Sequence, residues 1–321
     1  MTTKVVFMGT PTFAVPSLEV LAAGASKLDK VEIISVVTQP DRPSGRGRKL
    51  RPSPVKARAL ELGLPVWTPK SLKKKQAQQH LRDLAPDVMV VVAYGEILRR
   101  AVLDIPPHGA LNVHGSLLPR HRGAAPIAGA LLAGDTQTGV TIMLMDEGMD
   151  TGPILTTHTI PISSDDTRGT LFERLSTLGA NLLAETLPRW LAGQIEPQAQ
   201  NHDAATYTRL IEKQDGKLDW NKSANQLANQ IRAFDPWPGT FTTWRGKTFK
   251  ILSATILPAD KTLPIAPPGT VVQSDKLVGI TTSQGWLVPN KVQLAGKKAM
   301  SASVFTNGYR NFVGSVLGKA A

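Results

Sequence analysis

Through its first 150 residues this chain alternates short β-branched apolar runs with helix-patterned segments, and no other feature restricts its fold as much. The runs cover residues 4–9, 31–38, 87–93, 109–114 and 139–145; a helical pattern fills residues 14–24, and helix-like segments precede the last three runs. Strands joined through helices imply right-handed crossovers and a mostly parallel sheet. An α/β, Rossmann-like domain is therefore expected over residues 1–192, closed by a helix from residue 167 to about 191. The turn Gly9-Thr10-Pro11 after the first strand lacks the spaced glycines of a dinucleotide fingerprint and the Gly-Lys-Ser/Thr of a phosphate loop. A nicotinamide or a nucleoside triphosphate is thus not supported.

The pattern changes after a polar segment that starts at Gly193-Gln194-Ile195-Glu196-Pro197 and is expected to act as a linker over residues 193–207. Ser223 is placed to cap a helix carrying Leu227 and Ile231 one turn apart, and Asp235-Pro236-Trp237-Pro238-Gly239 stops it. From residue 240 to 294, short alternating segments between Gly, Pro and Asp turns suggest a small β-barrel. At 321 residues the chain exceeds what one core usually fills, so residues 208–321 are expected to form a second, smaller domain.

The chemistry concentrates at the end of the fourth run, in Asn112-Val113-His114-Gly115-Ser116-Leu117-Leu118-Pro119. A strand's period of two aims Asn112 and His114 to one face and Val113 to the opposite layer. A fixed amide donor beside an imidazole suits a tetrahedral intermediate, which needs a hydrogen bond to its oxyanion and a group that shares or moves a proton. Asp150 is a candidate partner that either orients the imidazole or takes the proton itself. Taken singly, His114 reads equally well as a hydrogen-bonded core histidine and Asp150 as a turn residue. Residues 116–126, Ser-Leu-Leu-Pro-Arg-His-Arg-Gly-Ala-Ala-Pro, suit neither a strand nor a helix start. A polar loop therefore leaves the sheet just after the two polar side chains, where open α/β sheets bind ligands.

A second unusual segment is the 16-residue connection 39–54, which holds Arg42, Arg46, Arg48, Lys49 and Arg51 against one acid, Asp41. Connections this long inside a domain tend to be functional or disordered, and Gly45 and Gly47 loosen it, so it is expected to order on a partner. Across the chain 37 Lys and Arg oppose 25 Asp and Glu, giving +12. The excess lies in the second half: residues 208–321 hold 15 basic and 6 acidic side chains, a net of +9. An anionic partner larger than a metabolite is implied. Trp220, Trp237, Trp244 and Trp286 fall in this region, where filling a small core is the stronger reading and stacking on unpaired bases the weaker.

Asn-x-His-x-Ser-Leu-Leu-Pro with an Asp-x-Gly 38 residues after the Asn, here Asp150-Thr151-Gly152, resembles the signature of the formyltransferases that use 10-formyltetrahydrofolate. Phe7-Met8-Gly9-Thr10-Pro11, Thr38-Gln39-Pro40-Asp41-Arg42-Pro43, Val92-Ala93-Tyr94-Gly95, Arg122-Gly123-Ala124-Ala125-Pro126-Ile127, Ile231-Arg232-Ala233-Phe234-Asp235-Pro236-Trp237-Pro238 and Ala295-Gly296-Lys297-Lys298-Ala299-Met300 resemble the branch of that family acting on methionyl-tRNA. The resemblance spans nearly the whole chain. It implies Asn112, His114 and Asp150 as the catalytic residues of a direct formyl transfer. It implies a folate co-substrate along Tyr94, Gly95, Ser116, Leu117, Leu118 and Pro119, and an open, OB-like C-terminal domain. It also implies that the loop carrying Arg42, Arg46, Arg48 and Lys49 meets the acceptor stem of initiator methionyl-tRNA. Phe13 reads either as a wall of the methionine pocket or as a core residue. Formylation of a small amine, glycinamide ribonucleotide or a sugar nucleotide, is the nearest alternative; it leaves the basic second half unexplained. An RNA-binding module without catalysis is a further one.

With no cysteine, disulfides and thiolate chemistry are excluded. The histidines at 80, 108, 114, 121, 158 and 202 form no recognisable ligand spacing with carboxylates, so no metal is expected. The apolar runs fall short of a membrane span, and Met-Thr-Thr-Lys leads into a strand rather than a signal peptide. A soluble cytoplasmic protein is expected, with a monomer as the default.

Overall fold

The computed structural model describes residues 2–24, 31–44, 49–257, 264–274 and 277–318. In chain order the elements are β1 (Thr3–Gly9), α1 (Val15–Ala22), β2 (Val31–Val37), β3 (Arg42–Ser44), β4 (Lys49–Arg51), α2 (Pro54–Glu61), β5 (Val66–Trp67), α3 (Lys75–Leu84), β6 (Val88–Val92), α4 (Arg100–Leu103), β7 (Ala110–His114), β8 (Arg122–Gly123), α5 (Pro126–Ala133), β9 (Gln137–Leu144), β10 (Ile154–Pro161), α6 (Arg168–Leu191) and β11 (Tyr207–Thr208). There follow α7 (Ala224–Ala233), β12 (Thr240–Trp244), β13 (Lys247–Ile256), β14 (Val271–Ser274), β15 (Leu277–Thr281), β16 (Trp286–Leu294), β17 (Met300–Ser301) and α8 (Ala302–Gly308). The chain divides into a unit of residues 1–126, 137–161 and 172–208 and a second of residues 127–136, 162–171 and 209–321.

The first unit is built on a seven-stranded sheet ordered β10-β9-β7-β6-β1-β2-β5. Val5, Val6, Phe7 and Met8 of β1 are wholly buried, as a central strand covered on both faces must be. Strands β5, β2, β1, β6 and β7 run parallel. The chain leaves β1 towards β2 and later returns to β6 on the other side of β1, so the carboxyl ends of β1 and β6 flank the crevice where such sheets hold ligands. The expected mostly parallel sheet is found, with one refinement: β9 is antiparallel to β7 and turns back into β10 as a hairpin. An apolar run marks a buried strand but carries no information about its direction.

Helix α6 lies against the back of β7. A Cβ added to Gly179 would sit 2.8 Å from Cγ1 of Val113, so only a glycine allows the helix this close. Val113 thus faces the helix, leaving Asn112 and His114 to the opposite face. The connection 39–54 is not featureless: β3 and β4 pair as a short hairpin that sets Arg42 opposite Arg51. Its base is tied by Lys56 Nζ donating to Asp41 at 2.8 Å and Arg42 Nη2 to Gln39 Oε1 at 3.2 Å. Arg46 and Arg48 lie outside the described residues.

In the second unit, Ser223 Oγ accepts the N–H of Gln226 while the Gln226 side chain accepts the N–H of Ser223. This capping box starts α7 where the sequence placed it. An open antiparallel sheet runs β12-β13-β16-β15-β14, with β17 on β16. Its core gathers Leu227 and Ile231 of α7 with Phe249, Ile251, Phe305 and Phe312. Trp244 meets Phe305, Tyr309 and Phe312 edge-on, each at 5.5 Å between ring centroids, the arrangement favoured by aromatic quadrupoles. Trp220 is buried in the same core and Trp286 packs on Leu257 and Val272. Only Trp237 of the four stands exposed, at 51%.

Candidate active site

Strand β7 ends in two buried polar side chains, Asn112 and His114, and both reach one carboxylate. Asp150 is carried over them by the loop between β9 and β10, with a left-handed backbone, φ +55°. Aspartate tolerates that region better than most residues, though at a cost. Its Oδ1 accepts from Asn112 Nδ2 at 3.3 Å, and its Oδ2 accepts the backbone N–H of Gly123 at 2.7 Å. His114 Nδ1 stands 3.7 Å from Oδ2, within ion-pair range but beyond a hydrogen bond.

The other imidazole nitrogen fixes the tautomer. His114 Nε2 lies 3.1 Å from the carbonyl oxygen of His121, and a carbonyl only accepts, so Nε2 carries a proton. A neutral His114 therefore presents the lone pair of Nδ1 beside Asp150 Oδ2. Two acceptors separated by 3.7 Å form a trap for an N–H inserted between them. Among the described residues no acceptor takes the second amide hydrogen of Asn112, which stays available to a developing negative charge.

The loop after β7 is anchored by Thr141, which the sequence reading did not single out. Thr141 Oγ1 donates to the Ser116 carbonyl at 2.7 Å and accepts the Leu118 N–H at 3.1 Å. Ser116 is wholly buried and its hydroxyl is spent on the Arg120 carbonyl at 2.6 Å. Leu118 is buried, Leu117 and Pro119 are half-buried, and the Leu118-Pro119 peptide is cis. Gly123 sits at φ +103°, and an added Cβ would lie 2.3 Å from the Thr208 carbonyl oxygen. Glycine alone can bring its N–H to Asp150 there. Replacing Thr141 by Val leaves a buried carbonyl and a buried N–H without partners. This is expected to cost about 2 kcal/mol in denaturant unfolding, and a loss below about 0.5 kcal/mol would contradict the anchoring role.

Tyr94 meets the cleft through its main chain. Its ring is buried among Val6, Met8, Val37 and Leu98, its hydroxyl has no hydrogen-bond partner among the described residues, and burial, reinforced by the charge of Glu96, pushes the phenol well above its ordinary range. Only its main chain faces outward: the Tyr94 carbonyl accepts from Thr10 Oγ1 at 2.8 Å, and Ala93 and Gly95 on either side are exposed. Here a cavity of about 420 Å³ opens at the carboxyl ends of β1, β2 and β6, lined among others by Thr10, Gln39, Arg42, Arg51 and Ser53. Phe13 is buried against Phe172, with ring centroids 5.2 Å apart. Among the described residues no cluster of His, Asp or Glu is placed to hold a metal ion, and no helix is long and apolar enough to cross a membrane.

Known proteins share the sequence and fold of this chain. Residues 3–187 match the formyl transferase family and residues 210–310 the formyl transferase C-terminal domain. The methionyl-tRNA formyltransferase of Roseiflexus sp. (strain RS-1) is 47% identical over 321 residues, 100% of this chain and 97% of its own length. The chain belongs to the methionyl-tRNA formyltransferase family. That of Marinobacter nauticus is likewise 47% identical, over 95% of this chain and 96% of its own. At the level of fold, an N-formyltransferase from Helicobacter canadensis, solved with folinic acid and dTDP-3-aminofucose, superposes with a TM-score of 0.63 at 21% identity, covering 90% of this chain and 99% of its own. This family's members are enzymes of formyl transfer.

Proposed function

We propose that the chain transfers the formyl group of 10-formyltetrahydrofolate to the α-amine of the methionine on initiator methionyl-tRNA, yielding formylmethionyl-tRNA for translation initiation. The observation that carries the reading is the convergence of Asn112 and His114 on the Asp150 carboxylate. The neutral amine attacks the formyl carbon and the carbonyl electrons move onto oxygen. The Nδ2 hydrogen of Asn112 not used by Asp150 donates to that oxyanion. The amine proton passes to the acceptor pair of His114 Nδ1 and Asp150 Oδ2, since His114 Nε2 is occupied by the His121 carbonyl. As the carbon–nitrogen bond to the folate breaks, the departing nitrogen takes a proton and tetrahydrofolate leaves.

The folate lies in this reading against the exposed main chain of Ala93 and Gly95, the 116–119 loop and the 145–150 loop. Ser116 serves through its backbone, because its hydroxyl is committed within the loop. No metal takes part. The tRNA is held by the net +9 of residues 208–321 and by Arg42, Arg46, Arg48 and Lys49. Arg42 and Arg51, cross-strand neighbours on the rim of the 420 Å³ cavity, suit the phosphate of the acceptor end, since a guanidinium pairs bidentately with phosphate. The relatives named for methionyl-tRNA support this acceptor over a small amine.

Formylation of methionyl initiator tRNA, run beside free methionine and glycinamide ribonucleotide at fixed salt, tests the reading. Rapid transfer to the charged tRNA alone is expected; transfer only to a small amine overturns the acceptor. Affinity for tRNA is expected to fall linearly on a log–log plot against salt. Arg42→Ala is expected to raise the KM for tRNA roughly tenfold, with the KM for folate unchanged. A salt-independent KM would exclude phosphate contacts.

A further inference from the structure

Arg122 is wholly buried, yet nothing in the transfer step touches it. A guanidinium in the interior persists only where its N–H groups are satisfied. Here Nε and Nη2 fork onto Gln200 Oε1 at 3.1 and 2.6 Å, Nη1 and Nη2 each lie 3.3 Å from His202 Nδ1, and Nη1 lies 3.3 Å from the Tyr207 hydroxyl. The guanidinium also lies 5.9 Å from the centre of the Tyr207 ring. Because Arg122 only donates, the oxygen of the Gln200 amide must face it. The amide nitrogen is thereby turned the other way, donating to the carbonyls of Asp150 at 2.9 Å and Gly152 at 2.7 Å. The first is the carbonyl of Asp150 itself, which holds a left-handed backbone, and the second lies two residues further along the same turn.

We infer that Arg122, acting through Gln200, is a positioning element for Asp150: it sets the orientation of one buried amide, and that amide clamps the main chain carrying the carboxylate. The inference rests on the proposed role of Asp150. A second contact completes the hold, since Gly123, next to Arg122, donates its N–H to Asp150 Oδ2. The frame under both is fixed by β8 pairing with β11, where the Arg122 N–H meets the Thr206 carbonyl at 2.9 Å. A strained turn closed by two hydrogen bonds from a buried amide keeps the carboxylate at one distance from His114 Nδ1. Without the clamp, the backbone relaxes towards ordinary φ values and the carboxylate withdraws.

Gln200→Glu separates positioning from folding. It keeps an acceptor for Arg122, now as an ion pair, and removes both donors to the Asp150 and Gly152 carbonyls. The expected result is a folded protein whose kcat for formyl transfer falls roughly 10- to 100-fold, with the KM values for folate and charged tRNA within about twofold of wild type. The pair Arg122→Met/Gln200→Met, which removes the buried charge together with its acceptor and both amide donors, is expected to show the same split and serves if the glutamate does not fold. The double variant Asp150→Ala/Gln200→Glu is expected to be no slower than Asp150→Ala, because a residue acting through another adds nothing once that other is gone. Wild-type kcat in both Gln200 variants, or losses that multiply in the double variant, would overturn the positioning role while leaving that of Asp150 intact. Wild-type turnover in Asp150→Ala would instead overturn the role of Asp150 itself.

Discussion

Asp150→Asn is expected to lower kcat by roughly 10²- to 10⁴-fold, the span typical of removing a positioned proton acceptor, while leaving the folded state nearly as stable as wild type. Stability is spared because asparagine tolerates the left-handed backbone at this position, φ +55°, as well as aspartate does. Catalysis is not spared. The carboxylate accepts from Asn112 Nδ2 on one oxygen and from the Gly123 N–H on the other. An amide in its place offers an acceptor on one side only, and its NH₂ then opposes a second donor. The negative charge beside His114 Nδ1 is lost as well, and with it half of the acceptor pair. Steady-state kinetics with charged tRNA, beside a thermal unfolding scan, checks this. Turnover within threefold of wild type in a folded variant would remove Asp150 from the mechanism.

Asn112→Ala is expected to cost roughly 10²- to 10³-fold in kcat, equivalent to about 2.7–4 kcal/mol of transition-state stabilisation, with little change in either KM. The selectivity for kcat follows from timing: the oxyanion exists only after the amine has attacked, so its donor contributes nothing to binding the unreacted formyl group. Asn112→Asp keeps the shape of the side chain and sets a second carboxylate against Asp150 Oδ1 at the 3.3 Å of the present hydrogen bond. Like charges at that spacing force one to hold a proton, so this variant is expected to be slower than Asn112→Ala at neutral pH. The reverse order would mean that position 112 acts through volume rather than through donation.

Much of this was legible in the sequence for identifiable reasons. The central strands announce themselves because Val88–Val92 is buried along its whole length, which requires a continuous apolar run. The shared face of Asn112 and His114 follows from the period of a strand. Other features left no local trace. The direction of β9 depends on its hairpin with β10. The pairing of Arg42 with Arg51 joins strands of three residues, too short for any alternation to appear. That the Tyr94 ring belongs to the core and only its main chain lines the cavity emerges once the surrounding strands are assembled. Gln200, in a stretch of polar composition, is buried at 6% exposure. Its partners lie about 50 and 80 residues away in the chain, beyond the reach of any local pattern. The loop anchor Thr141 escaped for the same reason: a threonine in a strand carries no mark of the two main-chain groups it satisfies 23 and 25 residues earlier.

In the proposed mechanism the cluster of Asn112, His114 and Asp150 passes the formyl group directly from donor to amine. Rapid-quench single turnover with 10-formyltetrahydrofolate labelled in the formyl carbon addresses it most directly. Label is expected to reach the α-amine of methionyl-tRNA at the rate the donor is consumed, Asn112→Ala is expected to slow this step itself, and protein mixed with donor alone is expected to carry no covalent label. A burst of formylated protein before any charged tRNA is added, or a transfer step that Asn112→Ala leaves at its wild-type rate, would contradict it.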